Sequence, residues 1–99
     1  MKLEIQTDKV VIDYETSADI LSIFDQKKML IEALKVGRSV EIKTHQIDRI
    51  DAASLQLILS FKQSAQKMQR RFTLENPSPE FVRISNLMGA WVLLNDLGS

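Results

Sequence analysis

The chain has 99 residues, of which 44% are hydrophobic and 26% charged, and its thirteen basic side chains are balanced by thirteen acidic ones. A nucleic-acid-binding protein usually carries a basic excess, because neutralising phosphates drives its affinity, so zero net charge argues against that class. The sequence has no cysteine, which excludes disulfides and thiolate metal sites. No apolar run approaches the roughly 20 residues that cross a bilayer. We therefore expect one cytoplasmic domain over residues 1–99.

The first half of the chain changes from a strand pattern to a helix pattern. Residues 2–6 and 10–13 alternate between apolar and polar side chains across a short gap, which predicts a hairpin. Residues 16–36 then place apolar side chains at helical spacing, so a helix is predicted to begin near Ser17 and to end at Gly37. The predicted apolar stripe of this helix consists of Ile20, Ile23, Phe24, Leu30, Ile31 and Leu34.

The middle of the chain repeats this change of period. Ser39–Lys43 alternates and predicts a strand, and after a connection Asp51 stands directly before a second helical pattern. Asp51 is a good N-cap, because its carboxylate accepts hydrogen bonds from the free amides of the first turn. The predicted core stripe of the helix that begins at Ala52 consists of Leu57, Ile58, Phe61, Ala65 and Met68.

The last third of the chain predicts one more strand and one more helix. Residues 71–75 alternate, and Ser78 followed by Pro79 is typical of a helix start. Residues 90–94 are compatible with a last turn or a short strand. Strands joined through helices pair in parallel, while the opening hairpin is antiparallel. The sequence therefore predicts an α/β fold with a mixed sheet of four or five strands and helices packed against it.

Three stretches of the chain resemble the STAS domain family. Residues 50–59, with Asp51 followed by small residues and an apolar helix, are similar to the family signature. The strand and Pro-containing turn over residues 72–79, and the helix that ends at Gly89, match the family's next elements. The resemblance covers nearly the whole chain. It implies a STAS-like single domain and a regulator of the anti-sigma-factor-antagonist class, which binds a protein partner and is not an enzyme.

The chain departs from the family pattern at two positions. In phosphorylated members of the family, a partner kinase modifies the second small residue after the Asp, and the matching residue here is Ala53, which has no hydroxyl. Ser54 replaces the family glycine, so it is the alternative, displaced acceptor. The resemblance therefore implies a partner-binding module without the usual phosphorylation switch.

The start of the second helix is the predicted partner-binding surface, because the family docks its partners there. Leu55 and Leu59 lie off the predicted core stripe, where they would form a small apolar patch; packing of both into the sheet or a neighbouring helix is the alternative. The predicted surface comprises Asp51, Ala52, Ala53, Ser54, Leu55, Gln56 and Leu59.

Nothing in the sequence indicates catalysis. The single histidine, His45, lacks sequence neighbours typical of a catalytic or metal-ligating set, and no glycine-rich phosphate loop is present. We expect no cofactor and no metal. The partner would be an anti-sigma-factor kinase of the GHKL type. Two alternatives remain open: a small STAS subunit of an ABC-type phospholipid-transport complex, which binds a transporter ATPase, and an accessory protein of a chemotaxis-type signalling system.

Overall fold

The computed structural model describes residues 1–90. The strands are β1 (Lys2–Ile5), β2 (Lys9–Asp13), β3 (Ser17–Ala18), β4 (Ser39–Lys43), β5 (Arg49–Ile50) and β6 (Phe72–Glu75), and the helices are a 3-10 turn (Ile20–Ser22), α1 (Ile23–Val36), α2 (Ala52–Lys67) and α3 (Pro79–Leu87). Within residues 1–90, no helix is both long enough and apolar enough to span a membrane.

A mixed four-stranded sheet with strand order β1-β2-β4-β6 organises the fold. β1 pairs with β2 antiparallel, while β2–β4 and β4–β6 are parallel. A second, two-residue ladder joins β3 to β5 in parallel. Val10 and Ile12 of β2 and Val40 and Ile42 of β4 belong to the hydrophobic core, together with apolar side chains of the helices. The predicted α/β fold with a mixed sheet of four or five strands is therefore confirmed, with four strands in the main sheet.

Local chemistry defines most element ends as predicted. Gly37 follows α1 in the left-handed conformation with φ of 81°, which costs glycine nothing sterically. Ser78 caps α3 by accepting a hydrogen bond from the Phe81 amide, and Pro79 is the first helical residue. The predicted strand Ser39–Lys43 has those bounds in the structure. Of the predicted turn or strand over residues 90–94, all but the first residue lie outside the described part of the chain.

The predicted start of the first long helix near Ser17 is wrong. Ser17 and Ala18 pair with β5, and α1 begins only at Ile23. Between them, Asp19 caps the 3-10 turn by accepting a hydrogen bond from the Leu21 amide at 3.1 Å. Because the chain turns there, Ile20 is 55% exposed instead of lying in the core.

Candidate functional site

Asp51 connects two segments that are far apart in the sequence. One carboxylate oxygen accepts a hydrogen bond from the Ser54 amide at 3.0 Å, which caps α2. The other accepts from the Ile20 amide at 2.6 Å, across 31 residues. The carboxylate thus satisfies free amides at the start of both the 3-10 turn and α2. The predicted N-cap is confirmed, and the Ile20 contact is an addition that the sequence did not indicate.

The ionisation of Asp51 follows from this geometry. Partial burial raises the pKa of the carboxyl, but the hydrogen bonds from the Ser54 and Ile20 amides stabilise the charged form and outweigh burial. Its pKa therefore lies below the ordinary value. At neutral pH the carboxylate is charged and holds the two segments together.

A buried amide lies behind this carboxylate. Gln26 on α1 is 1% exposed, and its side-chain nitrogen donates to the Ser54 hydroxyl at 2.9 Å. The same nitrogen lies 3.1 Å from the Asp19 carbonyl oxygen and 3.1 Å from the Ser22 hydroxyl. Gln26 therefore ties the first turn of α2 to the segment that precedes α1, and it fixes the position of the Ser54 side chain.

Two residues of the predicted partner surface are buried. Ser54 and Leu55 are both 0% exposed. Ser54 faces Gln26, and Leu55 belongs to the hydrophobic core cluster. The interpretation of Leu55 as part of an exposed patch is wrong, and the alternative, that it packs inside, is the one found. The burial of Ser54 also counts against a displaced phosphate acceptor, because its hydroxyl is enclosed.

The remaining predicted residues divide by exposure. Ala52 and Gln56 are exposed, while Asp51 and Ala53 are half-buried. Leu59 is half-buried and packs against the core cluster. The accessible surface at the start of α2 therefore consists of Ala52, Ala53 and Gln56, with the Asp51 carboxylate beside them.

Sequence reasoning missed the apolar side chains next to this surface. Leu21 is 93% exposed and Phe24 is 84% exposed, and both lie beside Ile20, whose amide is bound to Asp51. Scattered exposed apolar residues are ordinary, but a contiguous group of them indicates an interaction site. One signal was present in the sequence, since Leu21 lies off the predicted apolar stripe. We call the surface formed by Ile20, Leu21, Ala52, Ala53 and Gln56 the α2-start surface.

The described residues offer little for catalysis. Over residues 1–90, no group of three or more His, Asp or Glu side chains could hold a metal ion, and His45 lies exposed in a loop. A cleft of about 590 Å³ lies between β1, the end of β2 and α1, away from Ala53. Its wall includes Tyr14, and burial raises the pKa of this phenol well above its ordinary value.

Comparison with known proteins gives a likeness in structure only. No protein-family model and no curated protein sequence matches the chain. The anti-sigma factor antagonist SpoIIAA in its unphosphorylated form superposes with a TM-score of 0.79 and 18% identity, covering 97% of this chain and 84% of that chain. The phosphorylated form of the Bacillus cell fate determinant SpoIIAA gives a TM-score of 0.76 and 19% identity, covering 97% and 86%.

A third solved structure extends this likeness to another organism. A Thermotoga maritima protein, proposed to be an anti-sigma factor antagonist, superposes with a TM-score of 0.72 and 21% identity, covering 90% of this chain and 78% of that chain. The three structures superpose on at least 90% of this chain and over at least 78% of their own lengths. The chain therefore has the STAS fold, the fold of the anti-sigma factor antagonist SpoIIAA.

Proposed function

We propose that this chain is a non-enzymatic regulatory protein of the anti-sigma-factor-antagonist type, which binds a signalling protein through the α2-start surface. The partner would be an anti-sigma-factor kinase of the GHKL type. The likeness to SpoIIAA supports the regulatory role. The resemblance of residues 50–59 to the STAS signature supports the start of α2 as the docking site.

The observation that carries the proposal is the exposed apolar edge fixed beside the first turn of α2. Leu21 is 93% exposed and Ile20 is 55% exposed, and the Asp51 carboxylate holds the Ile20 amide at 2.6 Å. Two small residues, Ala52 and Ala53, adjoin this edge and let a partner backbone approach closely. Apolar anchors surrounded by polar groups are the usual composition of a protein-binding surface.

The proposed module binds without a phosphorylation switch at the usual place. A phosphate adds about −1.5 to −2 charges at pH 7, which beside Asp51 would reverse the electrostatics of the helix start and oppose docking. SpoIIAA has been solved in phosphorylated and unphosphorylated forms. Here Ala53 has no hydroxyl and Ser54 is enclosed. The protein would therefore stay competent to bind, and control would come from its abundance or from another site.

The test replaces Ala53 by glutamate. An unpaired charge buried in an interface costs several kcal/mol, so Ala53→Glu should weaken partner binding at least about tenfold in a calorimetric titration. The partner is first isolated from the native cytoplasm by pull-down. Isolation of a transporter ATPase or a chemotaxis protein instead of a kinase would replace the proposed partner by one of the two alternatives.

The matched control is Gln63→Glu, which adds the same charge at an exposed position farther along α2. It should change affinity by less than about twofold. Both variants should keep the stability of the parent within about 0.5 kcal/mol. In Ala53→Glu the new charge lies in the first turn, where it interacts favourably with the helix dipole, and in Gln63→Glu it replaces an exposed side chain. An affinity of Ala53→Glu within about threefold of the parent would show that the start of α2 is not the interface.

Phosphorylation is tested separately. After incubation with the isolated kinase and ATP, mass spectrometry should find no phosphate on residues 50–59. Stoichiometric phosphoserine at Ser54 would contradict the proposal and restore a shifted switch.

A further inference from the structure

A shallow groove runs along the outer flank of α1, next to the α2-start surface, and continues into the crevice between α1 and α2. It contains a hollow of about 350 Å³ lined by α1 alone and an adjoining hollow of about 180 Å³ lined by α1 and α2, and Lys27 and Ile31 line both. Phe24 lines the first hollow, and Leu57 of α2 lines the second. We call this feature the α1–α2 groove.

The apolar side chains of the groove have the spacing of a helix-binding site. Phe24 is 84% exposed and Ile31 is 46% exposed on the same flank of α1. They are seven residues apart, which is two helical turns or about 10.5 Å along the axis. An amphipathic helix presents apolar anchors at i, i+3 or i+4, and i+7, so its stripe matches this distance. The hollows between the two side chains give such anchors a place to insert.

The charge around the groove is mostly positive. Lys27, Lys28 and Lys35 line the hollow at the α1 side, and the acidic residue of that hollow, Glu32, lies 3.6 Å from the Lys35 ammonium. On the other side, α2 contains no acidic residue. Lys27 and Lys28 have no ion-pair partner within the described residues 1–90. The groove is therefore apolar at its floor and positive at its rim.

We propose that the α1–α2 groove binds an acidic amphipathic helix of the partner protein. The inference deepens the proposed function and rests on it, because the same partner would contact the adjoining α2-start surface. Apolar residues of the bound helix would fill the hollows between Phe24 and Ile31. Its carboxylates would pair with Lys27 and Lys28, a charge match that gives specificity and speeds association.

Other occupants fit less well. A second copy that docked through α2 would place lysines against lysines, since α2 has no carboxylate to offer. One that docked through α1 would bring three lysines (Lys27, Lys28 and Lys35) and only two carboxylates (Asp25 and Glu32). An anionic bilayer would match the charge, but a flat surface would leave the hollow between the helices unfilled.

The experiment uses two synthetic helical peptides with the same leucine stripe, one with glutamates and one with lysines beside it. Each is titrated into the ¹⁵N-labelled full chain, and amide shifts are followed by NMR. The acidic peptide should bind at least about tenfold more tightly than the basic one, with shifts confined to α1 and the facing side of α2. The double variant Lys27→Glu, Lys28→Glu should reverse this preference.

Three further variants distinguish binding in the groove from binding elsewhere on the domain. Phe24→Ser should weaken the acidic peptide at least about fivefold, whereas the matched control Leu87→Ser removes an exposed leucine of α3 and should leave binding within about twofold. Phe24 is mostly exposed, so its loss leaves the fold intact. Ala53→Glu should leave peptide binding within about twofold, which keeps a failure of the groove distinct from a failure of the α2-start surface.

Several outcomes would overturn the inference. Equal affinity for the two peptides would show that charge does not select the bound helix. Amide shifts mapped outside α1 and α2 would show that the peptide binds elsewhere. Binding to vesicles of anionic lipid with no binding of the acidic peptide would assign the surface to a membrane. Dimerisation of the free chain that Phe24→Ser abolishes would assign it to a second copy.

Discussion

Replacing Asp51 by alanine removes two hydrogen bonds from different parts of the fold. The Ser54 amide loses its cap at the start of α2, and the Ile20 amide loses its acceptor in the 3-10 turn. Replacing Asp51 by asparagine is a milder change. Asparagine caps helices about as well as aspartate, but it has one acceptor oxygen and cannot serve both amides. The pair of variants therefore separates the local cap from the contact between segments.

The expected magnitudes follow from these contacts. Loss of an N-cap costs about 1 kcal/mol, and loss of the second hydrogen bond to a half-exposed carboxylate costs about 1 kcal/mol more. Asp51→Ala should therefore lower the free energy of unfolding by about 2 kcal/mol, and Asp51→Asn by about 1 kcal/mol. For a domain of this size, each 1 kcal/mol shifts the melting temperature by about 4–8 °C, which thermal denaturation measures easily.

The difference between the parent and Asp51→Asn also depends on pH. The folded-state pKa of Asp51 is lowered, so the stabilisation is fully present above the unfolded value of about 3.9. It is lost as the pH falls through the folded-state pKa, because the protonated carboxyl resembles the amide. The difference in stability should be constant from about pH 8 to pH 5 and shrink below about pH 4.

Two results would refute this account of Asp51. A loss below about 0.5 kcal/mol for Asp51→Ala would mean that neither hydrogen bond contributes to stability. Equal losses of stability for the alanine and asparagine variants would mean that the cap of α2 and the Ile20 contact do not contribute separately.

Two further variants test burial. Leu55→Ala should lower the free energy of unfolding by about 2–5 kcal/mol in chemical denaturation, because it leaves a cavity in the core. The control Gln56→Ala, at the exposed neighbouring position, should change it by less than about 0.5 kcal/mol. A near-neutral Leu55→Ala would mean that Leu55 lies on the surface. Tyr14→Phe should leave the free energy of unfolding unchanged or raise it by up to about 1 kcal/mol, because the buried phenol oxygen has no hydrogen-bond partner among the described residues. A loss above about 1 kcal/mol would show that this oxygen does make a hydrogen bond.

The elements that could be predicted are those with strong local chemistry. Strand β4 alternates over five residues, and Asp51, Ser78 and Gly37 mark helix ends through their own side chains or backbone freedom. The ladder of Ser17–Ala18 with Arg49–Ile50 is only two residues long and joins distant segments. Two residues are too few to show the alternating pattern of a strand, so the predicted helix included Ser17 and Ala18.

On α2 the predicted stripe residues Ile58, Phe61 and Ala65 are buried, but Leu55 was assigned wrongly, for a different reason. Ser54 and Lys62 are polar residues on the core side of this helix, 0% and 2% exposed. The aliphatic part of the Lys62 side chain is buried, and its ammonium group lies 6.0 Å from the centre of the Phe72 ring. A hydrophobic pattern counts both residues as surface. The predicted core stripe therefore left out Leu55, although Leu55 lies only about 60° around the helix from Ile58, on the buried side.

The same contacts explain why stability and binding can be separated in this domain. The α2-start surface combines residues from two segments, and the Asp51 carboxylate with the buried Gln26 amide holds those segments in register. Under the proposed function, Asp51→Ala would weaken both the fold and the partner complex, because Ile20 and Leu21 lose their fixed position. Ala53→Glu would weaken the complex alone, because Ala53 takes no part in this network. A reversal, with Asp51→Ala binding normally, would mean that the partner does not need the Ile20–Leu21 edge.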